Sequence, residues 1–416
     1  MSFNKDLQYY KFCFYGFFKN LRFFEPFMIL FLLEKGLGFL EIGILYSIRE
    51  ILRNIFEIPS GVIADILGRR KTLVQSFVFY IISFILFFFS NSFEFLAVAM
   101  GVFAFGDAFR TGTKKAMIIS YLKQHGWEHQ KVHYYGHTRS YSQLGSAISS
   151  LIAAAIVFSS GTYSIVFLCS VIPYLIDLIL VASYPKSLDG TSKREQGIFF
   201  KHLLKAVYSS FIQSFKQSNS IRSILNLSIH TGYYKASKDY LQPLLVGIAI
   251  TLPITLSQDE NRQSAIIIGV SYFVIYLLSS MATRYSGKIS ERFKHPGRGM
   301  NFTGLIGYIA GGVAGFLFYL DFQYLSILPF ILIFLIENLR KPIGISQITE
   351  LMDKKILSTS LSVESQTNSL VAAIVAPLLG WLADSYSIGI ALISISLLMI
   401  FIYPLYRIRS GSKAKN

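Results

Sequence analysis

Twelve runs of about 20 predominantly apolar residues recur along this chain of 416, and they leave few folds open. They fall at roughly 9–33, 39–65, 72–90, 95–121, 132–158, 162–184, 221–254, 264–284, 300–320, 324–342, 359–383 and 387–407. That length of helix crosses a hydrocarbon core about 30 Å thick. Helix is also the form in which a single segment satisfies its own backbone groups in lipid. Only 15% of residues are charged, against the ~25% of an ordinary soluble protein. The mean hydropathy of +0.50 agrees. The expectation is an all-α polytopic membrane protein. Its first segment is too long and too charged for a cleaved signal peptide, so it stays in the mature chain.

Lys and Arg crowd alternate connections: Arg69-Arg70-Lys71, then Lys123 and Lys131, then Lys186, Lys193 and Arg194. Lys288, Arg292, Lys294 and Arg298 continue the series, followed by Lys354 and Lys355 and by a basic carboxyl tail. The opposite connections are short and poor in cations, which predicts both termini in the cytoplasm. This asymmetry also accounts for most of the +16 formal charge. Dispersal of the charge among hydrophobic segments argues against nucleic acid as the partner. Cys13 and Cys169 both lie within spans, so neither a disulfide framework nor a zinc cluster is indicated. The longest connection, 185–220, begins as a polar linker. From Ile198 to Phe215 it then spaces apolar residues as an amphipathic helix on the membrane surface would. The alternative for that stretch is an extension of the seventh span.

The chain repeats itself. Gly16-Phe17-Phe18-Lys19-Asn20-Leu21-Arg22 is echoed 216 residues later by Gly232-Tyr233-Tyr234-Lys235-Ala236-Ser237-Lys238, and Pro26 and Pro243 follow. Asp107-Ala108-Phe109-Arg110 is echoed 230 residues later by Glu337-Asn338-Leu339-Arg340. In each case the charged residues sit three apart, on one side of a helix. Charge at membrane depth is costly, so its repetition in both halves points to a shared site. The organisation expected is a six-helix bundle over residues 1–184, a linker over 185–220 and a second six-helix bundle over 221–416.

Residues 61–71 read Gly61-Val62-Ile63-Ala64-Asp65-Ile66-Leu67-Gly68-Arg69-Arg70-Lys71. This resembles the G-x-x-x-D-[RK]-x-G-[RK]-[RK] loop between the second and third helices of the major facilitator superfamily. A degraded copy, Gly287-Lys288-Ile289-Ser290-Glu291-Arg292, lies in the second half. Ile66 departs from the pattern where the family usually has a base. The resemblance covers essentially the whole chain and implies two pseudo-symmetric six-helix bundles rocking about a midplane site. It also implies a gating role for Gly61, Asp65, Gly68, Arg69 and Arg70, and makes the first and fourth span of each half line the cavity. Spans three, six, nine and twelve become supports.

Among the cavity-side candidates the bases outnumber the acids, which favours an anionic or zwitterionic organic solute. Arginine's planar fork of donors suits carboxylate or phosphate. The residues expected to hold it are Lys19, Arg22, Arg110, Arg139, Lys235, Lys238 and Arg340, with Tyr233, Tyr234 and Tyr240 adding hydrogen bonds and apolar contact. Glu25, Asp107, Glu337 and His137 are candidates for proton coupling or for charge pairing, and Asp107 with Arg110 and Glu337 with Arg340 are natural pairs. His125, His129, His133 and His137 recur every four residues, a spacing that lets a continuous helix share a metal. Gly126 interrupts that series and the surroundings are cationic, so no metal site is assigned.

No nucleotide-binding loop, nucleophile elbow or zinc-peptidase helix appears, which disfavours an ATP-driven pump and an enzyme and calls for no cofactor. The function expected is a secondary active transporter working by alternating access, proton-coupled, functional as a monomer in a bacterial cytoplasmic membrane. The alternatives are a proton-driven multidrug exporter, a carrier of metal chelates, and a receptor or lipid-translocating protein on the same fold.

Overall fold

The computed structural model describes residues 5–111, 113–127, 131–189, 218–251, 259–293, 295–352 and 357–409. Regular structure within them is helical. The amphipathic stretch expected at 198–215 lies outside the described residues, as does His129.

Helices α1 (Leu7–Phe18) and α2 (Met28–Glu34) form the first span, and α3 (Phe39–Leu67) and α4 (Arg69–Phe89) the second and third. The fourth consists of α5 (Phe93–Arg110) and α6 (Thr113–Gln124), followed by α7 (Lys131–Ser160) and α8 (Ile165–Ala182). In the second half, α9 (Ser218–Ser237) and α10 (Leu241–Thr251) make one span. Single helices make the rest: α11 (Glu260–Glu291), α12 (Pro296–Tyr319), α13 (Gln323–Leu351), α14 (Leu357–Ser385) and α15 (Ile388–Tyr406). These are the twelve segments the apolar runs predict. Seven of the helices are long and apolar enough to cross a membrane by length and composition. The first, fourth and seventh segments are each built from two helices, and the breaks fall where the charges lie.

Two of these breaks carry a proline. α1 ends at Phe18, where Asn20 turns back on the Gly16 carbonyl, and Pro26, which lacks an amide proton, sits in the tight turn at Glu25–Phe27 from which the chain resumes as helix. Pro243 follows the corresponding turn at Lys238–Tyr240. The repeated sequence is therefore a repeated helix interruption.

The chain divides into two compact units. One comprises Met1–Gly36, Ile48–Gln196 and Ala249–Tyr276; the other comprises Leu37–Ser47, Gly197–Ile248 and Leu277–Asn416. Within the first, α4 packs on α5 and α8, and α1 packs on α7 and α8. Within the second, α12 packs on α13 and α15, and α9 on α14. The duplicated sequence thus makes duplicated contacts. Gly16 lets α1 press against α7, because a Cβ there would lie 2.6 Å from Ser142 Oγ and 2.9 Å from the Thr138 carbonyl. Gly232 does the same on α14, where a Cβ would lie 2.6 Å from Val371 Cβ and 2.8 Å from the Asn368 carbonyl.

Alanine at Gly16 or Gly232 is expected to cost about 1–3 kcal/mol through overpacking. Alanine at Gly61, where a Cβ meets open space, should cost nothing measurable. Melting midpoints of the three variants in detergent check this, and equal midpoints would mean that the close approaches do not matter.

Candidate functional site

In the first unit three acid–base groups gather around the broken span. Asn20 donates to the Gly16 carbonyl at 2.6 Å and closes the end of α1. Beyond it Arg22 pairs with Glu25 at 3.7 Å. On α3, Glu50 is buried and receives Arg49 at 3.2 Å and Arg53 at 3.9 Å. On α5, Asp107 pairs with Arg110 at 3.1 Å. The Tyr80 hydroxyl of α4 sits between those last two, donating to Asp107 Oδ1 at 2.5 Å and accepting from Arg110 Nε at 2.9 Å. Arg22 and Arg53 also act electrostatically on Asp107, so the three groups form one field.

Lys19 stands apart from this pairing. Its ammonium makes no hydrogen bond or ion pair among the described residues, although it lies in the field of Arg110, Arg22, Asp107 and Glu25. The Arg22 and Arg110 side chains are about one-fifth exposed. The group is thus a partly exposed set of bases, tightly held at its acidic members.

The second unit uses its charges differently. Glu337 meets His230 Nδ1 at 2.9 Å and accepts from Thr231 Oγ1 at 2.8 Å. Arg340 turns away from Glu337 into the interior, with 0% exposure. It donates to the Asn226 carbonyl at 3.0 Å, to Asn226 Oδ1 at 2.9 Å, to Thr303 Oγ1 at 3.2 Å and to the Met300 carbonyl. The expected pairing of Asp107 with Arg110 is present, whereas that of Glu337 with Arg340 is replaced by these separate partners. The reason lies on α12, where Gly304 leaves the space that the guanidinium fills: a Cβ there would lie 2.5 Å from Arg340 Nη1.

Tyr233 is fully buried, with its hydroxyl 2.8 Å from Ser396 Oγ and its ring against Tyr308. Tyr240 is buried against Phe39, and Tyr234 packs its edge on Phe334. Lys235 donates to Ser369 Oγ at 3.3 Å, and Lys238 pairs with Asp239 at 2.6 Å. Asp239 also accepts from the Tyr46 hydroxyl at 3.2 Å.

Arg139 and His137 are exposed on α7. His125 contacts the Tyr121 carbonyl through Nδ1 at 2.9 Å and lies between the Tyr121 and Trp127 rings. Gly126, at φ +69°, separates it from α7, so the four histidines do not share one continuous helix. Among the described residues no group of three metal-ligating side chains forms.

In the Gly61–Arg70 loop, Gly68 takes φ +95° to join α3 to α4. Arg70 is held by Asp189, whose Oδ1 accepts from the Arg70 amide at 2.8 Å and whose Oδ2 lies 3.7 Å from Nε. Arg70 Nη1 adds the Tyr184 carbonyl at 3.2 Å. Arg69 is half-buried at the start of α4, and the Asp65 side chain lies outside the described residues. Sequence reasoning missed Tyr80, His230, Asn226 and Asp189. Polar residues at helical spacing on α4 (Thr72, Ser76, Tyr80, Ser83), all buried, were the readable sign of a face turned inward.

The Major Facilitator Superfamily profile matches residues 12–363. The chain belongs to that superfamily. An uncharacterized MFS-type transporter of Bacillus subtilis (strain 168), YxaM, is 22% identical over 388 residues, spanning 92% of this chain and 91% of its own. The nucleoside transporter NupG shares the fold with a TM-score of 0.73 at 13% identity, covering 96% of this chain and 98% of its own. A POT family transporter in complex with 5-aminolevulinic acid superposes with a TM-score of 0.69 at 15% identity, covering 96% of each chain. The protein is a multi-pass membrane transporter of the major facilitator superfamily, and not an enzyme.

Proposed function

We propose that this transporter carries a small anionic or zwitterionic organic solute by proton-coupled alternating access, with Lys19, Arg22 and Arg110 anchoring the negative group. The carrying observation is the Lys19 ammonium, which makes no hydrogen bond or close ion pair among the described residues although Arg22 and Arg110 share its field. Cations held together without full neutralisation repel one another at a cost that an anion removes on binding. Arg22 and Arg110 supply the fork geometry for a carboxylate or phosphate, and Lys19 supplies a mobile point charge. Asp107, Tyr80 and Glu25 hold the arginines in place. The 5-aminolevulinic acid bound by the POT transporter is a zwitterion of the size envisaged. Crowding of Lys and Arg into alternate connections supports an orientation with both termini on the cytoplasmic side.

Thermal stabilisation of the purified transporter by a panel of organic anions, zwitterions and cationic drugs tests this reading. A ligand that binds the folded state raises the melting midpoint, by about 2.7 kcal/mol of stability at 100 times its Kd. Anions or zwitterions should stabilise. Stabilisation by cationic drugs alone would favour a multidrug exporter and overturn the proposal.

A further inference from the structure

Behind the basic cluster lies an acid that the pairing leaves out. Asp177 sits in α8, an otherwise apolar helix, at 0% exposure. Neither of its carboxylate oxygens accepts a well-formed hydrogen bond among the described residues, although the Lys19 backbone amide approaches it. Its electrostatic partners are Lys114 of α6 and Lys19, just beyond α1. Lys114 stacks its ammonium over the Tyr15 ring, 4.5 Å from the centroid, and it too lies in the field of Asp177.

The other groups around Asp177 are mostly committed. From α1, Tyr15 is fully buried and its hydroxyl lies in the field of Arg110. One turn back on α8, the Tyr174 hydroxyl donates to the Lys19 carbonyl at 3.2 Å. Beyond the end of α8, the Tyr184 hydroxyl donates to the Lys11 carbonyl at 3.3 Å. From α4, Phe77 and Tyr80 pack on Tyr174, and the Tyr80 hydroxyl is held by Asp107 and Arg110. No titratable group of α7 acts on Asp177 among the described residues.

We infer that Asp177 is the proton-binding site of the transporter, and that it exchanges its cation for a proton when the solute arrives. An unpaired carboxylate at this depth is strongly disfavoured, so it requires either a cation or a proton. Lys19 lies in the fields of both Asp177 and the solute-facing arginines, and therefore serves one side or the other. When an anion draws Lys19 toward Arg22 and Arg110, Asp177 keeps only Lys114, which is held over the Tyr15 ring, and its carboxylate takes one proton from hydronium as an O–H bond forms. When the anion leaves, Lys19 returns and that proton is released. One monoanion and one proton thus move together without net charge. Glu25 and Asp107 do not fill this role as well, because Arg22 and Arg110 neutralise them directly.

The inference rests on the anion reading above, and its test separates the two. In proteoliposomes, an anion identified by thermal shift is followed both by counterflow and by accumulation down an imposed pH gradient. One proton per anion gives roughly tenfold accumulation per pH unit. Asp177→Asn, close in shape, should keep counterflow within a few-fold of wild type and lose that accumulation. Asp177→Glu should restore it in part. Proton uptake on anion binding to the wild type in weakly buffered detergent, expected near one per site, gives a reading independent of variant folding. Counterflow without proton uptake, or Asp177→Asn that still accumulates tenfold, would overturn the role of Asp177 alone. Absence of anion counterflow in the wild type would remove the anion reading and this inference with it.

Discussion

Lys19→Ala is expected to weaken solute binding by about 2 kcal/mol, roughly 30-fold in Kd, with little change in the stability of the ligand-free protein. The magnitude is that of one hydrogen bond from a charged donor. Removing this cation relieves repulsion from Arg110 and Arg22 and also takes a positive charge away from Asp107, Glu25 and Asp177, so the two effects offset in the ligand-free protein. Lys19→Arg should recover most of the affinity. Thermal shifts of both variants, with and without the anion, read the two quantities in one experiment. A variant with a lower ligand-free midpoint and wild-type affinity would place Lys19 among the structural charges.

Arg340→Ala should have the opposite signature. Its guanidinium supplies donors to Asn226, Thr303 and the Met300 carbonyl from a site with no exposure. Alanine leaves those acceptors unsatisfied and opens a cavity beside Gly304. The expected cost is about 3–5 kcal/mol, or a fall of about 10 °C in melting midpoint for a unit of this size. The anion's affinity for the protein that remains folded should change little. If Arg340→Ala melts like wild type and loses binding instead, Arg340 is a solute ligand and its interior bonds are incidental.

The contrast between these two residues marks how far the sequence could be read. The twelve segments, the charges inside them and the duplication were legible because hydrophobic runs of fixed length and repeated residue patterns are local properties. The Asp107–Arg110 pair was legible as well, since a spacing of three sets neighbours on one helix. Its echo at Glu337 and Arg340 has the same spacing and different contacts. What differs is the partner helix: α4 brings Tyr80 to Asp107 and Arg110, whereas α12 offers the gap at Gly304. His230 then takes Glu337, an outcome fixed by packing between helices more than 100 residues apart in sequence. Asp177 was visible as the lone charge of its span. Only the folded chain places Lys19 and Lys114 in its field. The Gly61–Arg70 loop was recognisable from its spacing, but its observed anchor, Asp189, lies beyond the sixth span and belongs to no motif.

The central claim is that a basic site in the first unit passes an anion across the membrane. Counterflow in liposomes tests it most directly: vesicles loaded with an unlabelled organic anion should take up a labelled trace of that anion against its gradient. This uptake should fall sharply in Lys19→Ala and respond to no cationic drug. Wild-type vesicles that exchange cationic drugs and no anion would contradict the account.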